Sequence, residues 1–357
     1  MKIKINNLPK DLRDLFKADG LKGIPSPFRS PWFDAQEKIR KGNKRDFICN
    51  VCGVPLGATE TPFDHAVLEE IRKKFVRPAD FRGELYFEFF SNGRINSDDI
   101  SFLKNETAGR FHWWGKLPFG RPEQRHNYII AVDPSYGLGS ANSVACVYDR
   151  NTYEQVGIFV DANTKPEQLA DVVVAMAYWC GGIQPTYVIW DAGGGCGTTF
   201  TNRVVYHRYP FVYTQRREDS KTRKITQKLG CMCTGKAKNM FLGELGVALS
   251  GSLIPDDDYK VVIVHDKETL EELFDYIFKE NSADIVASCR ADLSTGAAER
   301  HGDRVIALAL CVLACRETIK GSWQAAENPP INSFQSRFNQ VKEELAAQAD
   351  NQRKFLF

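Results

Sequence analysis

No stretch of this sequence is apolar for long enough to cross a bilayer. The longest purely apolar run, Val305 to Cys315, has eleven residues, against the roughly 20 a spanning helix needs. No N-terminal signal peptide is expected either, because charges interrupt MKIKINNLPKDLRDLF where an apolar stretch would stand. Of ten cysteines only Cys49 and Cys52 form a C-x-x-C, and no second pair follows at zinc-ribbon spacing. Cys146, Cys180, Cys311 and Cys315 lie inside apolar runs, where cysteine behaves as a small buried hydrophobe. A reduced, cytosolic protein is expected. Internal repeats and low-complexity tracts are absent. One segment, GCMCTGKA at 230–237, approaches a phosphate-binding loop, but Ala237 has no hydroxyl for a metal and the preceding RKITQKL is too charged for a buried strand. No intact loop of that kind, nor an ATPase engine built on one, is expected in this sequence.

What is present is an ordinary globular composition. The 357 residues are 43% hydrophobic and 26% charged, enough for one large domain or two modest ones. The net charge of +2 conceals a basic block. Between Arg203 and Lys238 stand ten Lys or Arg and two acids, a local +8. Such a block is either a solvated loop or a surface for a polyanion.

Residues 1–126 carry recurrent proline, glycine and aromatics (GIPSPFRSPWF, VRPADFRGELYFEFF, FHWWGKLPFGRP), with a short helical period at 63–75. An irregular, extended arm is expected there. From residue 128 the pattern sharpens. Residues 128–133 (YIIAVD), 143–149 (SVACVYD) and 154–160 (EQVGIFV) predict three strands of an antiparallel meander. Thr164-Lys165-Pro166-Glu167 reads as a capping box opening a helix that ends at Cys180, with Gly181 as its stop. A fourth strand is predicted at 186–191 (TYVIWD), then a glycine-rich turn, a helix at 199–207 and a short strand at 211–214. Helices follow at 236–250 and 268–279, and a last buried one begins at Asp303. This order gives an α/β fold, a ribonuclease H-like mixed sheet flanked by helices. Residues 321–357 read as a linker and an amphipathic helical tail.

Three aspartates stand where packing gives no reason for charge. Asp133 and Asp191 each end an apolar strand, and Asp303 begins the most apolar helix. Adjacent strands place their carboxyl ends side by side, and a helix starting there brings a third carboxylate. Converging carboxylates call for divalent cations, and hard oxygen ligands select Mg2+ or Mn2+. Two such ions suit phosphodiester hydrolysis. Taken singly, each aspartate is better read as a strand-end residue or a helix cap; their joint placement, with the basic block between the second and third, reverses that. In the basic block, Arg216, Arg217, Lys221, Arg223, Lys224 and Lys228 are the candidates for contacting a DNA backbone.

The segments AVDPSYGLGSANSVACVYDRNTYEQVGIFV, VIWDAGGGCGTTF with YPFVYTQ, LEELFDYIF and RHGDRVIALALCVLA resemble, in order and spacing, the nuclease domain of phage terminase large subunits. The resemblance covers residues 127–320. Upstream, RSPWFDAQEKIRKGNKRDF and TPFDHAVLEEI are similar to the stretch joining the packaging ATPase to that nuclease. It implies an arm at 1–126, a nuclease domain at 127–320 and a tail at 321–357. It also implies a metal-dependent endonuclease cutting double-stranded concatemeric DNA during genome packaging, with Asp133, Asp191 and Asp303 as metal-binding acids and two Mg2+ or Mn2+ ions. Implied partners are double-stranded DNA, a portal protein, the terminase small subunit and a packaging ATPase, in the host cytoplasm. The chain departs from the family where it has His301-Gly302-Asp303 instead of paired aspartates, and where Ala141-Asn142 replaces an acid of the early hairpin. His301 is the candidate substitute ligand, and Gly302→Asp should raise cutting if three acids limit the site. The alternatives are a nuclease fold that has lost catalysis and serves a packaging complex structurally, and an actin- or sugar-kinase-like ATPase using the glycines after Asp191.

Overall fold

The structure is a computed structural model that describes residues 31–39, 51, 61–218, 225–253, 261–278, 284–287, 290–292, 294–300 and 302–319. The chain divides into two units, residues 1–59 and 60–357. In the first, Pro31–Ile39 form helix α1, with Trp32 exposed. The second begins with helix α2 (His65–Phe75), capped by the Asp64 carboxylate, which accepts from the amide of Ala66.

Three strands follow where an irregular arm was expected. They are β1 (Phe81–Phe89), β2 (Ile95–Lys104) and β3 (Phe111–Trp113). Next come the meander β4 (Tyr128–Asp133), β5 (Ser143–Asp149) and β6 (Glu154–Asp161), helix α3 (Pro166–Cys180) and β7 (Tyr187–Trp190). These seven strands make one sheet in the order β2-β1-β3-β6-β5-β4-β7. β4, β5 and β6 pair antiparallel, whereas β7 returns through α3 to lie parallel to β4. Beyond β7, Val212 makes a parallel bridge to Val188. That meander, crossover and parallel return constitute a ribonuclease H-like fold. The sheet is longer than the sequence suggested, because β3 joins the meander through β6 and draws in residues 81–113. The anchor is aromatic: Phe111 and Trp113 pack on Trp179 of α3, with the Trp113 and Trp179 rings edge to face at 5.1 Å. Such a pair contributes about 0.5–1.5 kcal/mol beyond its buried area.

The remaining elements are α4 (Gly194–His207), the hairpin β8 (Thr214–Glu218) and β9 (Ile225–Leu229), α5 (Gly235–Gly251) and α6 (Lys267–Phe274). The hairpins β10 (Tyr276–Phe278) with β11 (Ile285–Ala287) and β12 (Arg290–Asp292) with β13 (Ala297–Arg300) then lead to α7 (Asp303–Ile319). The period-two alternation of the strands splits the core into two layers. Ile129, Ala131, Val144 and Cys146 face α5, α6 and α7, while Ile130, Val132, Ala145 and Val147 face α3 and α4. No helix among the described residues is long and apolar enough to cross a membrane.

Four local expectations change. Lys165, not Thr164, caps α3, its amide donating to Gln168, because the Thr164 hydroxyl is engaged with Asp161. Helix α4 starts within the glycines at 194, ahead of the expected 199. The strand expected at 211–214 is reduced to the bridge at Val212, and the regular strand begins at Thr214. The helix expected at 268–279 ends at Phe274 and gives way to β10. The tail from 321 and the Cys49–Cys52 pair lie outside the described residues.

Candidate metal and nucleic-acid site

Parallel pairing of β4 and β7 aligns Val132 with Trp190. Asp133 and Asp191 are therefore the next residues on neighbouring strands, at the carboxyl end of the sheet. The amide of Asp191 donates to the carbonyl of Val132 at 2.9 Å. After Asp191 the chain turns at once, and the amide of Gly193 donates to Asp191 Oδ1 at 2.8 Å. A Cβ at Gly193 would lie 2.9 Å from that same oxygen, so glycine allows the backbone to close on the carboxylate. The amide of Cys233 also donates to Asp191 Oδ1, at 3.4 Å.

Asp303, 7% exposed, opens α7, whose apolar length packs over β4 and β5. Its Oδ2 accepts from the amide of Asn142, the residue that precedes β5, at 2.9 Å. β5 runs antiparallel to β4, so its start lies at the sheet end where β4 finishes. All three aspartates singled out in the sequence thus belong to one end of the sheet.

The electrostatics agree. The Asp133 carboxyl is pushed well above the ordinary carboxylate range, first by burial, then by Asp303, then by Asp191, while the Lys238 ammonium opposes the rise. Lys238 belongs to the first turns of α5. It was legible only as part of the basic block. Burial raises the Cys196 thiol at the start of α4, and the hydrogen bond with Cys231 and burial raise that of Cys233, with Asp133 and Asp191 adding to both. Three carboxylates form a hard-oxygen donor set that suits Mg2+ or Mn2+. Among the described residues, no group of three or more His, Cys, Asp or Glu side chains is disposed to hold a metal ion as it stands. The donor chemistry fits a divalent cation; the carboxylates are not drawn into a closed shell.

Behind Asp303 stands a buried network that sequence reasoning missed. Arg304 Nη1 donates to Glu272 Oε1 and to Asp292 Oδ2, each at 2.6 Å, and its own amide donates to Glu272 Oε2 at 3.0 Å. Burial pushes Glu272 up to about 7 against the pull of Arg304. Asp292 is held below the ordinary range, since Arg304 and hydrogen bonds from Ser294 outweigh its burial.

The basic block forms the hairpin β8–β9, with Arg216 opposite Gln227 and Arg217 opposite Thr226 in register. Lys228 is exposed on β9. Lys221, Arg223, Lys224 and His301 lie outside the described residues. The hairpin is rooted at the acids: Cys231, just past it, donates to Trp190 O at 2.8 Å, and its carbonyl accepts from Ala192 at 2.7 Å. The segment 230–237 therefore joins β9 to α5 across the end of β7.

A ribonuclease H-like sheet with acids at the ends of its first and fourth core strands is the architecture so defined. No protein-family model matches the chain, and no curated protein matches it. Among solved structures, the chain is similar to the large terminase nuclease from thermophilic phage G20c with bound magnesium, at 15% identity and a TM-score of 0.46, over 72% of this chain and 98% of that one. The same nuclease with bound cobalt aligns at 14% identity and a TM-score of 0.46, over 72% and 98%. The Thermus phage P74-26 large terminase nuclease domain aligns at 16% identity and a TM-score of 0.36, over 59% and 88%.

Proposed function

We propose that this chain is a metal-dependent endonuclease that cuts double-stranded DNA, with Asp133, Asp191 and Asp303 as its metal-binding acids. The observation that carries the reading is the place of Asp133. Its half-buried carboxyl ends β4 beside Asp191 on the parallel strand β7, with Asp303 at the same end of the sheet, where nothing in the packing calls for charge. A divalent cation relieves the repulsion among the three groups and draws them together. Bound there, one or two Mg2+ or Mn2+ ions would activate water and stabilise the leaving oxygen of a phosphodiester. Lys238 offsets the local negative charge and favours approach of a phosphate. The hairpin rooted beside Asp191 carries Arg216, Arg217 and Lys228, with Lys221, Arg223 and Lys224 in the same stretch of sequence, and tracks the DNA backbone.

The sequence resemblance extends this reading to phage genome packaging in the host cytoplasm. The partners are then a portal protein, the terminase small subunit and a packaging ATPase. A second reading, a nuclease fold retained as a structural packaging component, draws on the open arrangement of the acids. Incubating supercoiled plasmid with the protein and Mg2+, Mn2+ or a chelator separates the two. Linear product only with metal supports the enzyme; intact plasmid throughout supports the structural component.

A further inference from the structure

Asn142, the residue before β5, is 1% exposed although polar. Its side chain is gripped at both ends. Nδ2 donates to Asp292 Oδ2 at 2.9 Å, and Oδ1 accepts from the Thr295 hydroxyl at 2.6 Å. The orientation of the amide follows from chemistry, since an ionised carboxylate only accepts. Asp292 is in turn clamped by Arg304, which also binds Glu272. The network thus ties the loop before β5 to the β12–β13 hairpin, α6 and the start of α7, all around the Asp303 carboxylate.

We infer that Asn142, fixed by the Arg304 network, is a positioning residue for Asp303: its backbone N–H sets the direction in which that carboxylate presents its oxygens to a divalent cation. The inference rests on the reading of Asp303 as a metal-binding acid. A carboxylate at the first turn of a helix has two free torsions, and a hydrogen bond from a pinned amide removes much of that freedom. Buried ion pairs such as Arg304 with Glu272 and Asp292 add little net stability, because desolvation offsets their attraction. Their arrangement here fixes geometry. Partners behind metal-binding groups commonly change metal affinity about 10–100-fold when removed.

The test is Mn2+ binding to the metal-free full chain, followed by electron paramagnetic resonance of free Mn2+. Asn142→Ala keeps the backbone N–H but loses both side-chain anchors. It should weaken Mn2+ binding about 10–100-fold while the protein remains folded at the assay temperature. Thr295→Val removes a single anchor and should weaken binding about two- to tenfold. A folded Asn142→Ala protein with wild-type affinity overturns the inference. Should that variant fail to fold, unchanged affinity in Thr295→Val overturns it equally. Failure of the underlying reading looks different: wild-type protein that binds no Mn2+, or an Asp303→Asn variant that binds as tightly as wild type, removes both.

Discussion

Asp191 and Val132 share one backbone hydrogen bond of 2.9 Å, and that rung sets Asp191 beside Asp133 at the end of two parallel strands. Most of the site's chemistry follows from this adjacency, because it forces two carboxylates together at the mouth of an apolar sheet.

The first consequence concerns stability without metal. The folded protein holds the Asp133 proton more tightly than the unfolded chain, whose carboxyl titrates near the ordinary 3.8. Ionising it therefore costs the folded state, and metal-free stability falls as pH rises above 3.8 until the raised folded value is passed. Asp133→Asn removes this fall. At pH 7 without metal the variant should melt above wild type, with the gap closing as pH drops toward 3.8. Added Mg2+ should raise the melting temperature of wild type and leave the variant's unchanged. A variant that melts below wild type at pH 7 would contradict the argument.

The basic hairpin should govern salt dependence. Each phosphate neutralised contributes a slope of about 0.9 in log affinity against log salt. Changing Arg216, Arg217, Arg223 and Lys224 together to alanine should flatten that slope by about 2–4, measured by filter binding or fluorescence anisotropy across a salt series. An unchanged slope assigns the block to solubility alone.

Gly302 has a different fate from the one its sequence context suggests. It adopts φ +79°, and a Cβ there would fall 2.1 Å from the Tyr276 hydroxyl, which itself donates to the Gly302 carbonyl. The left-handed backbone alone costs a substituted residue about 1–2 kcal/mol, and the buried Tyr276 ring adds to that. Gly302→Ala should lower the melting temperature, and Gly302→Asp should fail to raise cutting. A second acid before α7 has no room at 302, because Tyr276 occupies the space a side chain there would need. Enhanced cutting by Gly302→Asp, with stability retained, would refute this account.

Much of the core was legible because its strands are continuous apolar runs bounded by turns. β4 and β5 fall at 128–133 and 143–149 as the pattern indicates, and α3 ends at Cys180. β1 was hidden for another reason. FRGELYFEF alternates, but its prolines and glycines on either side read as irregular chain, and only contact with Trp179 through β3 shows what the strands are for. The β8–β9 hairpin has no apolar period at all; its place is fixed at its root by Gly230 and Cys231. Asp133, Asp191 and Asp303 stood out as charges at the ends of apolar runs. Asp292 and Glu272 did not, since single acids on a short strand and an acidic helix carry no signal until the fold brings Arg304 among them, and Asn142 stood out only as a departure from the resembled family.

The most direct measurement of the central claim is cleavage of supercoiled plasmid by wild type and by Asp133→Asn, side by side, in Mg2+ and in chelator. The account predicts linear product from wild type in Mg2+ alone, and none from the variant although it remains folded. Metal-independent cutting by wild type, or wild-type rates from the variant, would contradict it.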